Sequence, residues 1–378
     1  MKESYVGIGV VGAGAIGVRS ALMHFVLPDV QDRARIVAVC DPVVDRAKAA
    51  AEKYNVASYY ASFEELLKDD NVDMITLCSP IGLHYQQAVA ALNAGKHIHC
   101  NKTVTTSVAE CDSLMELAAK KNLNIVPSPG MMMMPHNQRI RRAVLEGRIG
   151  EVTMAIAGGS GGQTYHIGEP YRHGDDILTN TNPTWYFKKP GGGPMYDVTV
   201  YFLHILTGIL GPVKRLSAFS GQRVKEYEFR GEKITNETDD STLINLDFGG
   251  NLHGICYAVP MGDLGLTVGG FTPIIIGGKG KLMGAKLGDD SLIYDGDYEP
   301  NVNAEHKALP ENHVFADIMQ TVDRIRTGKP TIVTMDHARH VIDIIESGYA
   351  SAATGKTITL APTAFAPLPL DALAKIKD

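Results

Sequence analysis

Val6-Gly7-Ile8-Gly9-Val10-Val11-Gly12-Ala13-Gly14-Ala15-Ile16-Gly17 decides the reading of this chain. Val6 to Val11 is an apolar run of strand length, and Val18 to Phe25 continues as a helix. A G-x-G-x-x-G run at a strand-to-helix turn, with an acid after the next strand, is the context in which such a motif binds a dinucleotide. Gly12 permits the tight turn, Gly14 lets backbone approach a pyrophosphate, and Gly17 lets helix and strand pack closely. Ala15 and Ile16 complete the turn, and the helix that follows offers free N–H groups and a positive dipole end to phosphates. The alternative is a tight turn without a ligand.

Working outward, Arg35–Cys40, Ala57–Tyr60, Asp73–Cys78, His97–Cys100 and Leu123–Pro127 read as further strands. Helices intervene at 44–54, from Ser62, at 84–94 and at 108–121. Nearly all-apolar strands alternating with helices predict a parallel sheet covered on both faces, a doubly wound Rossmann domain over 1–128. Beyond Pro129 the pattern changes. Val152–Ala157, Val213–Gln222, Ser241–Phe248, Asn251–Val259, Phe271–Ile276 and Lys281–Leu287 read as strands, several joined by hairpin signals such as Phe248-Gly249-Gly250-Asn251. Helices are expected over Pro135–Glu146, Val314–Thr327 and Asp336–Thr354. The fold class is therefore α/β: the Rossmann domain, then an α+β domain over 129–365 with a largely antiparallel sheet, then a tail over 366–378.

The chain has 378 residues, 44% apolar and 21% charged, ample for two cores. A net charge of −6 offers no basic excess for a nucleic-acid partner. No apolar run is long enough to span a bilayer. The first strand begins at once, so no signal peptide is expected, and Cys40, Cys78, Cys100, Cys111 and Cys256 are too scattered for a disulfide framework. A cytoplasmic protein is expected. His97 and His99 share a strand face without an evident third ligand, so packing is expected and no metal. Met131 to Met134 is expected to fill a domain junction.

Asp41 lies 24 residues beyond Gly17, at the end of the second strand. An acid there accepts hydrogen bonds from the adenosine ribose and repels a 2′-phosphate, which favours NAD over NADP. The alternative is a helix-capping aspartate, and Arg46 is the residue that complicates the choice. Lys102 follows the fifth strand, where ligands of such folds bind. On position it is equally a solvated lysine, a phosphate contact or a group that reaches the nicotinamide and a substrate alcohol.

These residues together resemble the Gfo/Idh/MocA oxidoreductases, the superfamily of glucose–fructose oxidoreductase and inositol dehydrogenase. The shared features are the glycine motif, Asp41-Pro42, Ser79-Pro80 followed by His84, the Gly95-to-Lys102 block, Trp185, Gly191-Gly192-Gly193-Pro194-Met195-Tyr196-Asp197 and Gly328-Lys329-Pro330. The resemblance implies an open-faced sheet in the second domain and homo-oligomers, dimer or tetramer. It also implies NAD(P)-dependent oxidation of a sugar or cyclic polyol, with Gly12, Gly14, Ala15, Ile16, Gly17, Asp41, Ser79, Pro80, His84, Asn101 and Lys102 around the cofactor. The family's catalytic lysine sits in Glu-Lys-Pro. Here Lys102 is flanked by Asn101 and Thr103 instead. The family's aspartate and, four residues on, histidine or tyrosine map to Asp197 and Tyr201, and four-residue spacing puts both on one helix face. Read without the resemblance, Tyr201 is first a core aromatic in an apolar helix. A free tyrosine has a pKa of about 10, which a nearby ammonium lowers. Tyr201, alone or with Lys102, is thus the expected proton acceptor, and His204 the substitute.

The segment from Gly158 to Lys189 mixes polar and aromatic side chains, among them His166, Arg172, His173 and Trp185, and is expected to shape a sugar pocket. An NAD-dependent glycoside hydrolase that oxidises a ring carbon transiently, and a non-catalytic NAD sensor, are the competing readings.

Overall fold

The computed structural model describes residues 5–160, 167–168, 172–259, 271–283, 286–287, 290–291, 293–294, 301–373 and 376–377. Six strands make the first sheet: β1 (Val6–Val11), β2 (Ala34–Cys40), β3 (Ser58–Tyr60), β4 (Met74–Leu77), β5 (His97–Cys100) and β6 (Ile125–Pro127). All run parallel in the order β3-β2-β1-β4-β5-β6. Chain order reverses between β1 and β4, which opens a crevice at their carboxyl ends. Gly12 and Ser79 lie there.

The central strands β1 and β4 are largely apolar and buried because both faces of the sheet are covered. Val11, Ile75, Leu77 and Ile98 pack with Ala88, Leu92, Cys111 and Leu114 of the helices His84–Asn93 and Val108–Lys121. On the other face, Val6, Ile8 and Val10 pack with Phe25 and with Phe315, Ile318, Met319 and Val322. Those last four belong to the helix Asn312–Thr327, far along the chain. Sequence order groups that helix with the second domain, yet its apolar stripe completes the first.

The second sheet has nine strands. β7 (Val152–Ser160) lies parallel to β12 (Leu252–Val259), and the remaining pairs are antiparallel. The others are β8 (Arg215–Gly221), β11 (Ser241–Gly249), β13 (Ile274–Gly277), β14 (Gly280–Met283), β15 (Lys286–Leu287), β16 (Asp290–Ser291) and β17 (Ile358–Thr359). The single strand expected over Lys281–Leu287 is instead a hairpin, with Leu282 opposite Leu287. A separate hairpin, β9 (Glu226–Phe229) with β10 (Glu232–Thr235), was not anticipated. One face of the large sheet buries Ala155, Ala157, Leu216, Ile244 and Cys256 against the helices Thr199–Leu210 and Met335–Thr354. Met131 and Met132 join this core. The tail is held down by Arg141, which donates to Leu368 O (2.6 Å), and by Arg142, which donates to Leu373 O (2.8 Å).

Candidate active site

The three motif glycines have different reasons. Gly12 has φ +98°, and a Cβ there would lie 2.8 Å from Cys78 O. A Cβ on Gly17 would fall 1.9 Å from Gly12 O, so helix and turn touch through bare backbone. At Gly14 a Cβ would meet only the Thr181 methyl, at an ordinary 3.7 Å. Among the described residues, nothing in the packing requires glycine at 14. What its missing side chain keeps clear is the outer surface of the loop, where a pyrophosphate would bond the N–H groups of Gly14, Ala15 and Ile16. The loop therefore fits a dinucleotide.

Asp41 is buried and braces this loop. Its carboxylate accepts from Ala13 N (3.0 Å) and Val43 N (2.9 Å) and pairs with Arg46 Nη1 (3.1 Å). Arg46 spends its other donors on Ile177 O (3.2 Å) and Asn180 O (3.4 Å). Its guanidinium is thus engaged by protein rather than held in reserve for a 2′-phosphate.

At the switch point, Ser79 and Pro80 lead into the turn Ile81–Leu83. His84 is fully buried, with Nδ1 2.8 Å from Thr103 O and Nε2 2.8 Å from Ser79 O. Burial pushes its pKa down, opposed by the two carbonyls. Sequence reading put His84 among cofactor contacts. Its geometry instead makes it a clip that joins the loops after β4 and β5, acting through Ser79 and Lys102.

Those loops deliver Lys102. Asn101 Oδ1 accepts from Lys102 N (2.7 Å), and Thr103 Oγ1 donates to Tyr196 O (2.6 Å). The ammonium of Lys102 donates to the Asp197 carboxylate and to Asp197 O (3.0 Å). Both side chains are largely buried, 12% and 6% exposed, so the pair is poorly screened. Lys102 Nζ also lies 5.0 Å from the ring centre of Tyr201, over its face.

Asp197 and Tyr201 do not share one continuous helix. Asp197 ends the short helix Pro194–Asp197, and Val198 breaks the path before Thr199–Leu210. Asp239, buried beneath, fixes the first turn by accepting from Met195 N (3.1 Å), Thr242 Oγ1 (2.9 Å) and Tyr349 Oη (2.6 Å). The two side chains still converge, because Lys102 reaches both.

Sequence reading missed His313, Glu311 and Arg19. The His313 ring stands edge-on to Tyr201 at 6.0 Å and close to Phe271 at 6.1 Å. Glu311 bridges His313 Nε2 (3.7 Å) and Arg19 Nη2 (3.3 Å). Burial first, then Lys102 and Arg19, lower the His313 pKa, and Glu311 opposes them. The only signal was charge in Glu311-Asn312-His313 just ahead of an apolar helix, which resembles any helix start.

The other expected substrate residues are dispersed. His204 is corrected outright: it is buried at 2% exposure against His337, with ring centres 4.4 Å apart, on the core side of its helix. Burial lowers its pKa to about 3. His173 packs by Phe229 at 5.0 Å, and Trp185 by Tyr186 at 5.8 Å, both beside a cluster that includes Phe187. Arg172 lies at the dinucleotide end, bonded to Thr181 Oγ1 (3.4 Å). His166 falls outside the described residues. His97 and His99 are used in hydrogen bonds, His97 to Asn124 N (3.0 Å) and His99 to Thr76 Oγ1 (2.7 Å) and Ser128 Oγ (3.1 Å).

A glycine-loop crevice with a lysine–aspartate pair at its mouth defines a nucleotide-dependent oxidoreductase. Residues 6–127 match the oxidoreductase family with an NAD-binding Rossmann fold, and residues 137–262 match the GFO/IDH/MocA C-terminal domain. The chain belongs to the GFO/IDH/MocA oxidoreductase family and has that family's NAD-binding domain. It is 23% identical over 368 residues to D-glucoside 3-dehydrogenase of Escherichia coli, covering 95% of this chain and 99% of that one. Among solved structures, aldose-aldose oxidoreductase from Caulobacter crescentus superposes with a TM-score of 0.72 at 19% identity, over 94% of this chain and 100% of that one. An oxidoreductase from Agrobacterium radiobacter in complex with NAD+, L-tartaric acid and magnesium gives 0.70 at 18% identity, over 94% and 98%. The structural likenesses carry the fold. The relatives are dehydrogenases and oxidoreductases, which supports hydride transfer and not the hydrolase alternative.

Proposed function

We propose that this enzyme oxidises a secondary ring hydroxyl of a sugar, glycoside or cyclic polyol with NAD, using Lys102, Asp197 and Tyr201. The observation that carries the reading is the buried Lys102–Asp197 pair set against the face of Tyr201. Its placement at the end of β5, across the crevice from the glycine loop, suits a carbinol held beside a nicotinamide. The E. coli relative, which acts on D-glucosides by its name, supports a glycoside-like substrate.

NAD supplies the hydride acceptor; the chain's residues handle the proton and the orientation. Asp197 holds Lys102 by its carboxylate and its carbonyl, which fixes the ammonium. The ammonium lies over the face of Tyr201, 5.0 Å from its ring centre. Tyr201 takes the hydroxyl proton as the carbinol becomes a carbonyl, and Lys102 stabilises the oxygen while charge develops on it.

Lys102→Met and Tyr201→Phe should each lower kcat at least 100-fold in a screen of sugars, cyclitols and glycosides with NAD, while NADH still binds. Near-wild-type turnover in both would sink the assignment.

Self-association and a cytoplasmic location complete the reading. The uncovered face of the large sheet supports the first: Phe219, 72% exposed, stands directly opposite exposed Leu243. Half-buried Met154 and Ile156 share the sheet, with Ile276 opposite Met154. A second copy would cover such an apolar row, and Phe219→Asp should lower the mass measured by light scattering. Five free thiols suit a reducing compartment. Among the described residues no helix is long and apolar enough to cross a membrane.

A further inference from the structure

Residues 172–182 pack against the glycine turn, through Leu178 beside Ala13 and Thr181 beside Gly14. Leu178 is 3% exposed and packs with Ala13, Val18, Leu22, Val39, Ala47 and Ala50, the glycine turn and the helices beside it. Arg46, paired with Asp41, donates to Ile177 O and Asn180 O. The Thr181 methyl lies 3.7 Å from the position of a Gly14 Cβ. Thr181 Oγ1 accepts from Arg172, a cation only 4% exposed.

The segment also has internal order. Leu178 N donates to Asp176 Oδ1 (2.8 Å), Thr179 N to Asp176 O (2.9 Å) and Gly174 N to Thr179 O (3.2 Å). Arg230 on the far side holds Arg172 O and Asn180 Oδ1. It is thus a braced turn pressed on the loop by one leucine and one arginine.

We propose that residues 172–182 form the outer wall of the dinucleotide site, with Arg172 the counter-charge to the pyrophosphate and Leu178 the anchor that must lift for NAD to enter or leave. The proposal rests on the glycine loop taking NAD. The loop's N–H groups supply partial positive charge on one side of a doubly anionic pyrophosphate. Arg172, joined to the loop's neighbour Thr181, would add positive charge to the wall. A wall that closes over the ligand makes exchange slow, because opening must break the Leu178 contacts and the Arg46 bonds together.

The test uses the full-length protein and NADH as the probe. NADH is titrated by its fluorescence, and its release is then timed after a chase with excess NAD. Leu178→Ala should bind NADH and release it at least tenfold faster than wild type. Arg172→Gln should weaken NADH binding at least tenfold, and Arg172→Lys should recover part of the loss. In the wild-type protein, amide exchange over residues 172–182 should slow at least tenfold on adding NADH, a readout that needs no variant. Unchanged release from Leu178→Ala together with unprotected amides in 172–182 would overturn the wall. Failure of the wild type to bind NADH at all would instead overturn the cofactor assignment and the proposal with it.

Discussion

Gly14→Ala separates what the glycine loop does for folding from what it does for the cofactor. The added methyl meets only the Thr181 methyl at 3.7 Å, and φ at Gly14 is not in the left-handed region. The cofactor-free protein should therefore keep its stability or gain about 0.4–1 kcal/mol from the stiffer unfolded chain. The same methyl occupies the surface that a pyrophosphate must approach. Loss of one charge-assisted hydrogen bond costs about 1.5–3 kcal/mol, which is roughly 10- to 150-fold in NADH affinity. Thermal melts without cofactor and NADH titration by fluorescence measure the two effects separately. At a concentration 100 times the wild-type Kd, NADH should stabilise wild type by about 2.7 kcal/mol. A 30-fold weaker variant should lose about 2 kcal/mol of that. Wild-type affinity in the variant would refute the view that this glycine serves a ligand, and a large loss of cofactor-free stability would refute the packing argument.

Gly17→Ala should behave oppositely: its Cβ would fall 1.9 Å from Gly12 O, a backbone atom that cannot swing away. Expect about 3 kcal/mol or more lost in cofactor-free denaturation; an unchanged urea midpoint would contradict the close approach of helix and turn. Asp317 is fully buried, accepts from Ser128 Oγ (2.5 Å) and Gly130 N (3.1 Å), and burial raises its pKa from 3.8 to about 7. With the folded pKa above the unfolded one, its contribution is full below about pH 4 and falls as pH rises through 7, by about 4 kcal/mol at most. Asp317→Asn should flatten that trend relative to wild type in urea titrations at pH 5 and pH 8, and parallel pH curves would count against it. His99 and His204 are buried with pKa values lowered to about 3, and His24 and His340 to about 4. Their folded values lie below the unfolded 6.5, so stability drops as pH falls below 6.5, by up to about 1.4 kcal/mol per pH unit for each. Acid unfolding should take up several protons, and uptake of fewer than two would refute the buried neutral rings.

The first domain was legible because its signals are local. Strand runs, the capping serine before Phe63 and the glycine turn each act within a few residues, and the parallel order follows once strands alternate with helices. The helix Asn312–Thr327 was found at nearly its true ends, but the sheet it covers was not legible. An amphipathic stripe tells that a helix packs, and not on which sheet. The same limit misplaced His204, because position along a helix does not say which side faces the cleft. The segment Gly158–Lys189 was legible as unusual in composition, yet Leu178, a plain apolar residue among polar ones, decides where residues 172–182 pack. His313, Glu311 and Arg19 meet through tertiary contacts that leave no spacing to read.

The two departures from Glu-Lys-Pro look different once their partners are known. Asn101 keeps an acceptor for Lys102 N at 2.7 Å but brings no charge. The ammonium is therefore balanced by one carboxylate, Asp197, and the pair is neutral where a glutamate at 101 would make it anionic. Thr103 donates to Tyr196 O at 2.6 Å, one residue before Asp197, so the residue after the lysine ties its loop to the turn that carries its counter-ion. Proline has no side-chain hydroxyl to make that bond. The lysine and the aspartate are thus located relative to one another twice, by the ion pair and by a hydrogen bond beside it. His84 adds a third restraint, since it holds Thr103 O from beneath. In the proposed role, a lysine fixed this closely by a single counter-charge would meet a developing alkoxide without first reorganising, which is what electrostatic stabilisation of that oxygen requires.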